Sequence, residues 1–459
     1  MRSPLPLMLV VGLGVSLQPL DTSVNVAFPA ITEAFGIELR SIQWVAVAYV
    51  LTYAAMLLVC GRLGDLFGYR RVFRLGLATS AVGLALCALA ETYLWLLAFR
   101  ILQGVGTALV MSCGPALATA LYPPEQRARA LSHYGVLFAA GMALGPVAGG
   151  FMVDWLGWQG VYWFRVPVAI LALIASYALP GVGGNSSVSN RFDAIGAVLL
   201  AFWMSAILLG LALLQVPEVD TVLTGLLVIV GVAALAAFIA RERKLPSPII
   251  RLSLFAERRF AAINLLNVVV FLVGFAAILL TPYYLTRQLG LDVRLMGLVM
   301  TLWAAGSMLG AWAAGKLVAR ALSQAALAFC CGWILVLGLA LAALCGPDTG
   351  LVLIGAALFV QGLALGGFQL AYTDTVVAAL REDERGVAGS LAMLTRTLGT
   401  VGGATVLAAS FAALEGAALS GGQPPDAAFM TGFVQVFAGS AAALAVTLLA
   451  AMAVSRTAR

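Results

Sequence analysis

Gly61-Arg62-Leu63-Gly64-Asp65-Leu66-Phe67-Gly68-Tyr69-Arg70-Arg71 is the stretch on which the reading of the whole chain turns. It holds four charges in eleven residues and lies between two runs that carry none, residues 41–61 and 75–90. A helix crossing about 30 Å of hydrocarbon needs roughly 20 mostly apolar residues. Three glycines within the charged stretch permit a tight turn and a close approach of the helices on either side. The segment therefore reads as a short polar turn between two membrane spans.

The same alternation continues in both directions. Of 459 residues, 62% are hydrophobic and only 10% charged, and mean hydropathy is +1.03. A soluble domain carries about a quarter of its residues as Asp, Glu, Lys or Arg, so a water-soluble enzyme is excluded. Glycine (49) and proline (17) are abundant, and both are more frequent in membrane helices than in soluble ones. Runs with little or no charge predict fourteen helices: 3–32, 41–61, 75–90, 101–124, 130–153, 166–190, 194–217, 221–240, 260–286, 295–315, 321–347, 349–373, 386–414 and 427–455. The first is interrupted by Asp21 and the thirteenth by Arg396. The first run has no basic leader beyond Arg2 and no A-x-A site, so it reads as span 1 and not as a cleaved signal peptide.

The six cysteines fall in apolar runs without C-x-x-C spacing and read as small buried hydrophobes. One histidine, His133, at the inner start of span 5, is too few for a His-rich metal site and reads as structural. No cofactor, metal or membrane-embedded catalytic constellation is expected.

An even number of spans puts both termini on one side. With the termini inside, twenty basic residues fall inside and three (Arg40, Arg287, Arg294) outside, as the positive-inside rule requires. The net charge of +6 thus reflects orientation, and a nucleic-acid partner need not be invoked. A gapless shift of 258 residues lays Gln103-Gly104 on Gln361-Gly362, Arg127 on Arg385, Gly141 on Gly399 and Gly145 on Gly403. The chain then divides into a six-helix bundle (1–180), a linker with two additional helices (181–258) and a second six-helix bundle (259–459). Parallel repeats of this kind build a large class of transporters with a substrate site near the midplane.

Four further segments carry chemistry. Span 1 contains Leu20-Asp21-Thr22-Ser23-Val24-Asn25-Val26-Ala27-Phe28-Pro29, and span 4 contains Arg100-Ile101-Leu102-Gln103-Gly104-Val105-Gly106. Span 5 contains Gly141-Met142-Ala143-Leu144-Gly145-Pro146-Val147-Ala148-Gly149-Gly150, and span 6 opens with Phe164-Arg165-Val166-Pro167. A charge at the centre of a span costs at least ~3 kcal/mol on insertion scales and marks function by default. At ~1.5 Å per residue Asp21 lies roughly 24 Å from the inner boundary and Arg100 roughly 9 Å from the outer one. The two depths agree, so Asp21 and Arg100 are expected to meet.

Together these segments and the 61–71 turn resemble the major facilitator superfamily, specifically its fourteen-span drug:proton antiporter family, over nearly the full length. The resemblance implies an all-α polytopic fold of two six-helix bundles plus two extra helices in the inner membrane. It implies a monomeric proton-coupled antiporter, surrounded by membrane lipid, that exports small amphipathic or cationic compounds. A lipid or an endogenous metabolite is the alternative cargo. Asp21 and Arg100 would serve proton coupling, with protons as the coupling ion, and Gly61, Asp65, Gly68, Arg70 and Arg71 would form a cytoplasmic gate. Gly141, Gly145, Pro146, Gly149 and Gly150 match the superfamily's antiporter motif. Small residues four apart let helices approach closely.

Three features depart from the pattern. Leu66 and Tyr69 replace usually basic positions, and Arg165 replaces a usual asparagine, a change the sequence does not explain. The Asp21-to-Pro29 spacing is one residue short, which in a regular helix would turn Asp21 by about 100°. Asn25, Tyr49, Tyr53, Gln103, Asn267, Gln361, Gln369 and Asp374 are candidate cavity residues, each open to the plainer reading of an interhelical hydrogen bond. Asp374 and Arg396 are expected to form an ion pair in the second half, with a second proton or substrate carboxylate at Asp374 as the alternative.

Overall fold

A computed structural model describes residues 5–37, 42–123, 126–181, 193–213, 221–245, 252–291, 293–319, 323–346, 349–380 and 385–457. Arg2, Arg40, Arg191, Arg251, Arg320, Arg381 and Arg459, which enter the orientation count, lie outside these residues. The described residues are helical throughout their regular structure, with no strand among them.

The chain forms two compact units. Unit 1 comprises residues 1–252 and 376–394, and unit 2 comprises 253–375 and 395–459. Unit 1 opens with α1 (Leu5–Ser16), a 3-10 turn (Pro19–Thr22), α2 (Ser23–Val26) and α3 (Phe28–Phe35). It continues with α4 (Gln43–Phe67), α5 (Tyr69–Ala88), α6 (Tyr93–Ala120), α7 (Arg127–Leu156), α8 (Gly160–Trp163), α9 (Arg165–Ala175), α10 (Ala194–Leu213) and α11 (Thr221–Glu242). Unit 2 holds α12 (Ser253–Ala256), α13 (Arg258–Tyr283), α14 (Val293–Ala319), α15 (Gln324–Ala343), most of α16 (Leu351–Ala379) and α17 (Arg385–Ser420), and α18 (Pro425–Thr457).

Among the described residues thirteen helical segments are long and apolar enough to cross a membrane. The sequence predicts fourteen. The difference lies in α10, whose described apolar core, Ile195–Ile207, is shorter than a full span.

Lipid tails are as apolar as leucine, so helices associate here through close packing and not through the hydrophobic effect. Unit 1 is accordingly dense: Met8, Val11, Val15, Phe73, Leu77 and Tyr162 are all fully enclosed. In unit 2 Phe433 stacks on Tyr284 at 4.9 Å and meets Phe437 at 4.7 Å between ring centroids. Two glycines related by the 258-residue shift each lie against the backbone of a neighbouring helix. A Cβ at Gly104 would meet the Tyr49 carbonyl at 2.9 Å, and one at Gly362 would meet the Ser307 nitrogen at 3.1 Å. Ser307 is the repeat partner of Tyr49.

The two additional helices belong with unit 1. α10 lies against α4, and α10 and α11 cross closely where Gly231 faces Ile207. Arg241 grips the Asp193 carboxylate at 2.7 Å at the end of this hairpin and holds that carboxyl below its usual range. Ile195, Val198, Leu226 and Ile229 remain exposed, as lipid-facing positions require. The cysteines are all free, and Cys330 departs from expectation in being exposed while the other five are buried. His133 is bonded to Tyr122, with Oη and Nδ1 3.0 Å apart.

Candidate functional site

The position of Asp21 follows from a break in the first span. Pro19 has no N–H to donate and cannot continue α1. The chain tightens through Leu17 N–H to the Gly14 carbonyl and Gln18 N–H to the Val15 carbonyl, then enters the 3-10 turn that contains Asp21. A 3-10 turn advances about 120° per residue against 100° in an α-helix. The short Asp21-to-Pro29 spacing is therefore absorbed by irregular winding, and a uniform helical count does not give the direction of the carboxylate.

That carboxylate meets two arginines. Arg100 takes it in a fork, Nη1 to Oδ1 and Nη2 to Oδ2, both at 2.7 Å. Arg165 donates from Nη1 to Oδ1 at 2.6 Å. Gln103 donates from Nε2 to Oδ1 at 3.2 Å and accepts from Arg100 Nη1 at 2.7 Å. Arg100 Nε donates to the Val45 carbonyl and Arg165 Nε to the Val161 carbonyl, each at 2.8 Å. The Tyr49 ring lies 4.3 Å from the Arg100 guanidinium, and the Tyr162 ring 5.4 Å from that of Arg165. Both arginines are 0% exposed. Sequence reasoning brings together Asp21 and Arg100 but leaves Arg165 unassigned and misses Tyr162. The signal for Arg165 was its charge within the apolar span Gly160–Ala178.

Span 5 clasps this segment. A Cβ at Gly141 would come within 2.9 Å of Pro19, one at Gly145 would collide with Thr22 Oγ1, and one at Gly149 would lie 2.9 Å from the Ser23 Cα. Gly150 faces open space, and Pro146 lies inside α7. The small residues thus hold α7 against the stretch that carries Asp21.

The charged turn performs a different task. Gly68 joins α4 to α5 at φ +91°, a conformation that L side chains resist. Tyr69, in place of a usual basic residue, donates its hydroxyl to Asp65 Oδ1 at 2.7 Å. Arg70 donates to the Leu179 carbonyl at 2.9 Å, and Arg74 to that of Ser176 at 3.2 Å. The turn is therefore tied to the end of span 6, and Gly61 is buried beside it while Arg71 is exposed. Gly68→Ala is expected to cost about 1–3 kcal/mol through strain alone, read as a lowered Tm in detergent.

The remaining candidates separate. Gln103 lies in the ion cluster, and the half-buried Tyr53 ring packs 5.4 Å from Tyr49. Asn25 is exposed. Gln361 donates to the Gly338 carbonyl at 3.1 Å and Gln369 to Thr373 at 2.9 Å, both ordinary helix contacts. In unit 2 Asn267 donates to Thr395 at 2.8 Å, while the Tyr372 hydroxyl donates to Asn264 at 2.8 Å and lies 2.9 Å from Thr395. This buried polar chain ties α13, α16 and α17 together; Thr395 is its unforeseen member. Asp374 is buried, and the Arg396 guanidinium lies 5.1 Å from the Phe271 ring.

Among the described residues, thirteen apolar helical segments and an ion cluster buried within one unit define an integral membrane protein; membership of a superfamily of transporters makes it a transporter of small molecules and not an enzyme. The sequence profile described as Major Facilitator Superfamily matches residues 7–404, and the chain belongs to that superfamily. It is 30% identical over 409 residues to the methylenomycin A resistance protein of Bacillus subtilis strain 168, covering 87% of this chain and 86% of the relative. The riboflavin transporter RibZ of Clostridioides difficile strain 630 is 28% identical, with 88% of each chain covered. Among solved structures, the human organic anion transporter MFSD10 superposes with a TM-score of 0.73 at 16% identity, covering 98% of this chain and all of the other, a likeness of fold.

Proposed function

We propose that this transporter exports small amphipathic compounds, cationic ones among them, in exchange for protons, as a monomer of the fourteen-span antiporter branch. The observation that supports this best is the Asp21 carboxylate, held inside a span by Arg100 and Arg165. Protonation of Asp21 would weaken its hold on the guanidinium groups, and its deprotonation would restore it. One group then changes the electrostatics of the bundle twice per cycle. A cationic substrate would compete with that proton for the same carboxylate. The 61–71 turn, anchored on the end of span 6, would gate the inner side. Relatives named for resistance to methylenomycin A and for multidrug resistance support efflux.

The same reading places α10 as the fourteenth passage, both termini in the cytoplasm and the chain in the cytoplasmic membrane, as the basic residues and the bacterial relatives suggest. Asp374 and Arg396 are proposed as an ion pair of the second half. The 28% identity with RibZ supports a second reading, export of an endogenous metabolite on the same fold. Proteoliposomes with an imposed pH gradient test both. Addition of an organic-cation panel should release protons from the protein and drive exchange. Transport of riboflavin-like compounds alone would favour the second reading, and transport indifferent to the gradient would remove proton coupling.

A further inference from the structure

The ion cluster holds two guanidinium groups against one carboxylate, and the two are not equally anchored. Apart from Asp21, Arg100 keeps the Val45 carbonyl, the Gln103 side chain and the face of Tyr49. Arg165 keeps only the Val161 carbonyl, four residues back in α8, and the more distant Tyr162 ring. Its Nη2 is buried without any hydrogen-bond partner. We propose that Arg165 is the releasable positioning residue of this site: neutralising Asp21 frees Arg165, while Arg100 stays in place.

The argument is one of charge and fallback contacts, and it rests on the reading that Asp21 takes up the proton. With Asp21 ionised the cluster has a formal charge of +1, and with Asp21 neutral it has +2. Both arginines bond the same atom, Oδ1, at 2.7 and 2.6 Å, so they are close neighbours of like charge inside the membrane. An unpaired buried cation is costly, and the less anchored of the two must move. The groups facing Asp21 are Tyr49 from α4, Cys87 from α5, Arg100 and Gln103 from α6, and Tyr162 and Arg165 from span 6. From α7, Gly141, Gly145 and Gly149 pack against this stretch. Among these, no second carboxylate can receive either arginine.

The place of Arg165 turns release into motion. It is the first residue of α9, directly after α8 and Phe164. Two residues on, Pro167 cannot donate to the Trp163 carbonyl, so the helix lacks a hydrogen bond there and bends easily. Asparagine, usual at this position in the resemblance, would leave one arginine per carboxylate and no cation to expel.

The test uses the full-length protein in liposomes, with Cys330→Ser removing the exposed native thiol. A bimane fluorophore is placed on α8 at Trp163→Cys or on α6 at Ile101→Cys, both exposed positions. Acidification should change the signal at position 163 and leave that at 101 unchanged, and Arg165→Asn should abolish the response at 163. The infrared carboxyl band assigned to Asp21 by its loss in Asp21→Asn should appear at higher pH in Arg165→Asn, because one of two flanking cations is gone. Arg165→Lys should keep the wild-type position. A response at 101 with silence at 163, or an unmoved band in Arg165→Asn, would overturn the proposal. Proton-coupled transport surviving in Asp21→Asn would instead overturn the proton-carrier reading, and the bimane and infrared results distinguish the two failures.

Discussion

Asp21→Asn is expected to reduce proton-driven exchange in proteoliposomes to background and to lower stability sharply. Asparagine cannot carry the exchanged proton, and it leaves two fully buried guanidinium groups without their carboxylate. Removing one partner of a buried ion pair costs about 3–5 kcal/mol, and here two pairs are lost together. A transport defect alone would not separate lost chemistry from lost folding. The double variant Asp21→Asn, Arg165→Asn resolves this. It returns the formal charge of the cluster to that of the native protein, so thermal stability should recover by several degrees while coupled transport stays absent. Recovery of transport in the double variant would mean that the carboxylate serves only to balance charge.

The second large effect is expected in span 5. Gly149→Val should abolish transport, because its side chain would enter the backbone of Ser23, two residues from Asp21. Overpacking a tight contact costs about 1–3 kcal/mol or more, and backbone cannot yield as a side-chain tip can. Gly145→Leu should behave alike, since a Cβ there collides with Thr22 Oγ1 and meets the Leu20 and Pro19 carbonyl oxygens at 3.3 Å, so a longer side chain has backbone on its path. Gly150→Ala provides the contrast. Nothing lies within 4 Å of its added Cβ, and alanine gains about 1 kcal/mol of helix propensity over glycine. Transport rates and Tm of the three variants in parallel check this. Equal damage from Gly149→Val and Gly150→Ala would show that the motif acts by general helix flexibility and not by clasping the Asp21 segment.

Both expectations depend on contacts that the motif spacing only partly foretells. Small residues at 141, 145 and 149 indicate a close helix approach, but not that the partner is the broken stretch around Asp21. Gln361 bonds across to the Gly338 carbonyl of α15, whereas Gln369 bonds Thr373 within its own helix, a local contact that its type and position do not announce. Tyr69 illustrates the converse: it looks like a loss of charge from the turn, yet its hydroxyl supplies the bond to Asp65.

Sequence by itself determined the class of fold, the positions of nearly all the spans, the repeat and the depth match between Asp21 and Arg100. These are properties of short windows: whether a run is apolar for about 20 residues, and where a scarce charge interrupts it. The tertiary structure alone decided that Asp21 has two arginine partners. Arg165 lies 144 residues away in the chain, and no local pattern encodes that distance. It also decided that Asp21 sits in a 3-10 turn and that α10 has a short described core. The physical reason is common to these cases. Hydropathy acts residue by residue along the chain, whereas a buried charge takes whichever partners the packing of several helices brings to it.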